Sequence, residues 1–153
     1  MKKVLFAIVV LVSLSFVFTS CEKEEEYTAP AMTTATITGV VEAELDFTNA
    51  VSEFAPVGTK LYARVNAADL VENPIAGYPY EDIIFTTTVG ASGVYSFTVS
   101  AGVPVANYTI YGDDFSYNAL VTAAPTYMQL YYSLGGTVVS ATRGQKILVD
   151  LSY

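Results

Sequence analysis

Two adjacent carboxylate pairs, Glu81-Asp82 and Asp113-Asp114, are the side chains in this 153-residue sequence best suited to acid–base chemistry. A glycosidase places two carboxyls about 5 to 10 Å apart across a cleft. Neighbours along a strand point to opposite faces, so neither pair can serve alone, and a carboxylate-only glycoside hydrolase is the last of three functional readings. The chain has no histidine and one cysteine, Cys21. That composition excludes Cys/His zinc sites, Ser-His-Asp and Cys-His catalysis, haem ligation by His or Cys, and intrachain disulfides.

Binding chemistry is better represented than catalysis. Twelve tyrosines occur with no tryptophan, and exposed tyrosine rings stack on sugars or anchor protein partners. Strand alternation turns Tyr95, Tyr108 and Tyr132 toward a core and Tyr62, Tyr111, Tyr127 and Tyr131 away from it. The longest connection, Asp69 to Asp82, brings Tyr78, Tyr80 and Asp82 to a loop tip, and long loops on rigid scaffolds often carry function. The candidate ligand-binding residues are therefore Tyr62, Tyr78, Tyr80, Asp82, Tyr111 and Tyr131. Asp46, Asp113 and Asp114 form a candidate Ca²⁺ site, although no loop shows the closely spaced Asp/Asn pattern of a dedicated calcium loop. A soluble acidic tip is the favoured reading of those residues, and no other cofactor is expected.

The N-terminus determines where such a surface would be displayed. Met1-Lys2-Lys3 precedes an apolar run from Val4 to Phe18, the pattern of a secretory signal peptide and too short for a span of about 20 residues. Thr19-Ser20-Cys21 follows, then Glu22-Lys23-Glu24-Glu25-Glu26. This arrangement resembles a bacterial lipoprotein precursor, with Thr19 and Ser20 at the small positions of the lipobox and Phe18 in place of its usual leucine. The resemblance implies a lipid on Cys21 and cleavage before it. The acidic run at residues 22–26 resembles the surface-export signal of Bacteroidetes lipoproteins, which implies an outer-membrane protein facing outward. Removing residues 1–20 takes away Lys2 and Lys3 and leaves five basic residues against fifteen acidic ones, a formal net charge of −10. Phosphate binding needs a basic stripe, so nucleic acid is not an expected partner.

The elements that must position these residues are strands. After a tether at residues 21–34, a single domain over residues 35–153 alternates with period two. In Thr36 to Phe47, the residues Ile37, Gly39, Val41, Ala43, Leu45 and Phe47 share one face. Further strands are expected over Thr59 to Asn66, Ile83 to Val89 (the more buried), Gly93 to Val99, Asn107 to Tyr111 and Phe115 to Val121. The tail reads as a meander of three strands, Tyr127 to Leu134, Thr137 to Thr142 and Gln145 to Ser152, joined by Gly135-Gly136 and Arg143-Gly144 turns. Eight or nine short strands favour an all-β antiparallel sandwich of Greek-key type, with a closed barrel second. Alternating strand directions gather Asp46, Glu53, Asp113, Asp114 and Asp150 beside Asn49, Phe115 and Tyr117 at the end opposite the tether.

The segment from Ile37 to Phe115 resembles the transthyretin-like, carboxypeptidase-regulatory-like group of sandwich domains. The matching stretches are "ITGVV", "APVGTKLYARV" at residues 55–65, and "TTTVGASGVYSFTVSAGVPVANYTI" at residues 86–110. The aspartate common in that family's turn is absent, the turn reading Val89-Gly90-Ala91-Ser92. The resemblance implies accessory or adhesive modules more often than enzymes. The leading expectation is a non-enzymatic surface lipoprotein binding an extracellular glycan or envelope protein. The second is a structural or assembly component of an outer-membrane complex, recruited through a strand edge.

Overall fold

A computed structural model describes residues 34–153, so Cys21 and the acidic run at residues 22–26 lie outside the described residues. The first strand, β1 (Thr34–Ala43), is paired along both edges. On one side β5 (Val94–Ser100) runs antiparallel to it, from Thr34 opposite Ser100 to Val40 opposite Val94. There β2 (Glu53–Phe54) takes over at the end of β1, with Glu42 opposite Phe54. On the other side the C-terminal strands β10 (Lys146–Leu148) and β11 (Leu151–Ser152) run parallel to β1. A second sheet, antiparallel throughout, has the order β4 (Asp82–Thr88), β3 (Lys60–Asn66), β6 (Ala106–Gly112) and β9 (Thr137–Ala141). Strands β7 (Phe115–Thr122) and β8 (Thr126–Tyr132) form a separate hairpin. A 3₁₀ turn, Ala67–Leu70, follows β3 and is capped by the Asn66 side chain, which accepts from the Ala68 amide.

The expected alternation builds one core between the two sheets. Ile37 and Val41 of β1 meet Tyr95, Phe97 and Val99 of β5 across from Leu61, Ala63 and Val65 of β3 and Tyr108 and Ile110 of β6. Each of these residues is at most 2 % exposed. Burying a side chain of this size contributes about 1.5–3 kcal/mol, so these inward positions dominate stability. The described residues therefore form an all-β sandwich. Tyrosine serves the core because its ring is apolar and its hydroxyl reaches a backbone carbonyl. The hydroxyl of Tyr95 donates to Val149 O (2.7 Å), that of Tyr108 to Ser100 O (2.6 Å), and that of Tyr132 to Glu44 O (2.6 Å). Burial, with Asp150 near Tyr95 and Asp69 near Tyr108, pushes both phenols up to about 12.

Four expectations change, the first at the end of β1, which stops at Ala43 and leaves Phe47 exposed rather than on the inward face. The tail is not a meander: β8 pairs with β7, β9 with β6, and β10 and β11 with β1. Gly135 and Gly136 lack the positive φ that a two-residue hairpin turn requires, and the chain instead leaves the hairpin there to join the second sheet. At Gly144 the φ of 70° does mark a turn, and its amide donates to Thr34 O, but this turn carries the chain from one sheet to the other. The segment expected to be more buried, Ile83 to Val89, forms the outer edge of the second sheet, with Ile83 and Ile84 39 % and 52 % exposed. Its β-branched composition reports strand propensity, which edge and central strands share.

The expected last strand is interrupted between Leu148 and Leu151, although its register against β1 is the same on either side. At the interruption the Val149 amide donates to Thr38 O, the Asp150 carboxylate accepts from the Val40 amide at 2.9 Å, and Val149 O accepts from Tyr95. Gly39 lies directly beneath, where an added Cβ would stand 1.9 Å from Val149 O. Only glycine admits that approach. Gly39→Ala should destabilise the protein by about 3 kcal/mol, since overpacking acts together with the loss of a backbone contact. A urea titration of the full chain checks this, and an unchanged midpoint would mean that the C-terminal strand does not close on β1.

Candidate functional site

Beyond the end of β1 at Ala43, the chain continues as Glu44-Leu45-Asp46 and forms one wall of a groove at the end of the sandwich. The β7–β8 hairpin folds back onto this extension: the Phe47 amide donates to Leu120 O at 2.8 Å and the Leu120 amide to Leu45 O at 3.1 Å. Beneath the seam, Ala43, Leu45 and Tyr132 form a second small core, with Phe115 stacked on Tyr132 at 5.0 Å between ring centroids. The groove has a volume of about 460 Å³ and is lined by Leu45, Asp46, Glu53, Phe54, Tyr117, Asn118, Leu120 and Tyr127. Small-molecule and side-chain pockets commonly fall in this range.

Each part of the chain supplies a different chemical group to the groove. The short strand β2 brings Glu53 and Phe54. The Phe54 ring packs over Gly93, where a Cβ would come within 2.6 Å of it and where φ is +69°. The hairpin brings Tyr117 and Tyr127, which with Phe54 are 42 %, 64 % and 50 % exposed respectively. Glu53 is held by its Oε2, which accepts from the amides of Leu45 (2.8 Å) and Asp46 (3.1 Å). Asp46 Oδ1 accepts from the amide (2.9 Å) and hydroxyl (2.5 Å) of Thr48. Those bonds, led by the hydroxyl, hold the Asp46 carboxyl below the usual carboxylate range.

The structure does not bring the sequence-derived ligand candidates into one site. Tyr62 and Tyr111 lie opposite each other on β3 and β6 and stack at 5.1 Å, so each ring covers one face of the other. The nearby Asp113 carboxylate raises the Tyr62 phenol above its ordinary value. Tyr78 and Tyr80 meet edge-on at 4.8 Å in the long loop, where the Tyr80 hydroxyl accepts from the Ile75 amide. Asp82 accepts from Asn66 and lies 3.8 Å from Arg64 in an exposed pair, an arrangement worth little energetically. Tyr131 is 83 % exposed on the hairpin, opposite Ser116.

The acidic gathering expected at the end opposite the tether does not form one cluster, and Asp150 is engaged beside β1 by the Val40 amide. Asp46 and Glu53 join Tyr117 in the groove. Asp113 is tied to the second sheet, its amide donating to Lys60 O and its carbonyl accepting from the Tyr153 hydroxyl at 2.9 Å. Burial, with Asp113 and Asp114 nearby, raises that Tyr153 phenol to about 12. Among the described residues no three acidic, histidine or cysteine groups converge to hold a metal ion, so Asp46, Asp113 and Asp114 do not assemble the candidate calcium site, which was the less favoured reading of these residues. Phe54, Asn118 and Leu120 were not singled out by sequence reasoning. A two-residue strand is too short to show a period, and the Asp46–Leu120 bridge joins segments far apart in the chain. The usable signals were the outward parity of Tyr127 and the alternation of strand directions, which had placed Asp46, Glu53 and Tyr117 at one end.

No protein-family model matches the chain, and no curated protein matches it. Among solved structures, the major pilin subunit of Bacillus cereus is similar to it at 15 % identity and a TM-score of 0.38, over 79 % of this chain. The chain spans 30 % of that pilin's length.

The Asp46–Thr48 contact carries a pH signature. A depressed carboxylate stabilises the fold above its unfolded value and loses that contribution as pH falls through the folded value. Thr48→Val removes the hydroxyl donor and should move Asp46 back up toward 3.8, the value it would have without these contacts. An NMR titration of side-chain carboxyl carbons reads this directly, and an unmoved Asp46 would show that the backbone amide alone sets it.

Proposed function

We propose that this protein is a non-enzymatic lipoprotein of the outer cell surface whose β-sandwich binds an extracellular partner, a glycan or an envelope protein. The observation that carries the reading is the groove itself, with three partly exposed aromatic rings and two carboxylates gathered by three separate segments. Aromatic rings held in a concave site supply most of the energy in such interfaces. Lipidation of Cys21, inferred from Thr19-Ser20-Cys21 after the apolar run, would hold the domain at the membrane, since two or more acyl chains anchor stably.

A second reading rests on a different observation. The outer edge of β4, with Ile83 and Ile84 exposed and neither Lys nor Pro between Asp82 and Thr88, lacks the usual guards of a free edge. Recruitment into an envelope assembly would then proceed by strand addition.

The two readings separate by mutation. Full-length protein is tested against a panel of polysaccharides and envelope proteins, alongside Phe54→Ala, Tyr127→Ala and Ile84→Lys. Under the groove reading, binding weakens several-fold for the first two variants and is unchanged for Ile84→Lys. Loss with Ile84→Lys alone would transfer the function to the edge. In cells, Cys21→Ser should release the protein from washed membranes, and its retention there would overturn the lipid anchor.

A further inference from the structure

The eight residues lining the groove include two carboxylates and no basic side chain. Four basic residues occur among those described, Lys60, Arg64, Arg143 and Lys146, and none lines it. Glu53 spends its Oε2 on two backbone amides, and among the described residues no hydrogen bond engages its Oε1. Asp46 is likewise fixed through Oδ1 by Thr48. Both carboxylates are thus oriented by the protein and keep acceptor capacity toward solvent. Around them stand Phe54, Tyr117 and Tyr127, whose ring faces attract cations. A neutral sugar presents donors and acceptors in similar number, whereas this lining is weighted toward acceptors. An ammonium group presents three donors and no acceptor.

We infer that the groove between β2, the end of β1 and the β7–β8 hairpin is a receptor for a basic side chain, a lysine carried on an exposed segment of a partner protein. The inference rests on the groove reading above and narrows its ligand from glycan or protein to a cationic peptide. The ammonium seats between Asp46 and Glu53, and the methylene stem lies along Phe54 and Tyr127. The volume of about 460 Å³ accommodates one such side chain with part of its backbone. Binding of this kind weakens with salt, because the pair is reached from solvent.

The test is calorimetric titration of the full-length protein in neutral detergent with tetralysine, with tetralysine acetylated on every side-chain amine, and with a neutral hexasaccharide. The expected result is binding of tetralysine that acetylation abolishes. Glu53→Gln keeps an oxygen for the Leu45 and Asp46 amides while removing the charge, and should weaken binding about fivefold. Tyr127→Ala, at an exposed position that the core does not use, should weaken it about threefold. Equal binding of tetralysine by wild type and both variants would overturn the inference, since attraction to the acidic chain as a whole would then suffice. Binding of the hexasaccharide without tetralysine would also overturn it and leave the groove a glycan site. If neither probe binds, the inference falls, and the polysaccharide and envelope-protein panel decides the broader reading independently.

Discussion

The fold depends on the pairing of β1 along both of its edges. A first strand hydrogen-bonded on one side only would leave an open sheet margin and an unsatisfied row of backbone groups. In this chain β5 occupies one edge, and the C-terminal β10 and β11 close the other in parallel, which sets the first and last strands of the domain side by side. The closure converges on a small junction, in which the backbone of Gly39 faces Val149, whose carbonyl accepts the Tyr95 hydroxyl from the core while Asp150 satisfies Val40. Hydrophobic burial, tyrosine hydroxyls and strand closure therefore act at one place. The interruption at Val149-Asp150 is a consequence of that convergence, since the Asp150 side chain takes the Val40 amide that a backbone carbonyl would otherwise accept from.

The groove inherits its position from the same strand. Once the C-terminal strands and β2 have fixed Glu42 and Ala43, the extension through Leu45 and Asp46 has a defined direction, and the hairpin docks on it through Leu120 and Tyr132. Glu53 then clips the extension by accepting from two of its amides. The carboxylate that would face a ligand is thus also the group that holds the wall of its site. Such dual use keeps a site on rigid elements even though much of its lining comes from a hairpin outside both sheets.

Period-two alternation was enough to assign the inward residues of β1, β3, β5 and β6, because burial on one sheet face imposes that period directly on the chain. Tyr95, Tyr108 and Tyr132 were recognisable as core members on the same ground. Strand partnership was not legible in this way. The tail has the turn residues of a meander, yet Leu151 packs beside Val41 and Val139 beside Tyr108, since which edges meet is decided by the closure of the whole sandwich. The aromatic candidates show the same division: outward parity correctly exposed Tyr127 and Tyr131, while the meeting of Tyr127 with Phe54 and Glu53 depends on a bridge from Asp46 to Leu120 that leaves no local pattern.

If β1 is the element on which both the sandwich and the groove depend, amide hydrogen exchange will rank the strands accordingly. Amides of Ile37, Val41 and Leu151 should exchange only through global unfolding, whereas those of β7 and β8 should also open separately and at lower free energy, because the hairpin is held mainly by its own pairing and one small core. Exchange of Leu151 well before Leu61 and Ile110 in the second sheet would show that the C-terminal closure is peripheral, and would contradict the central role of β1.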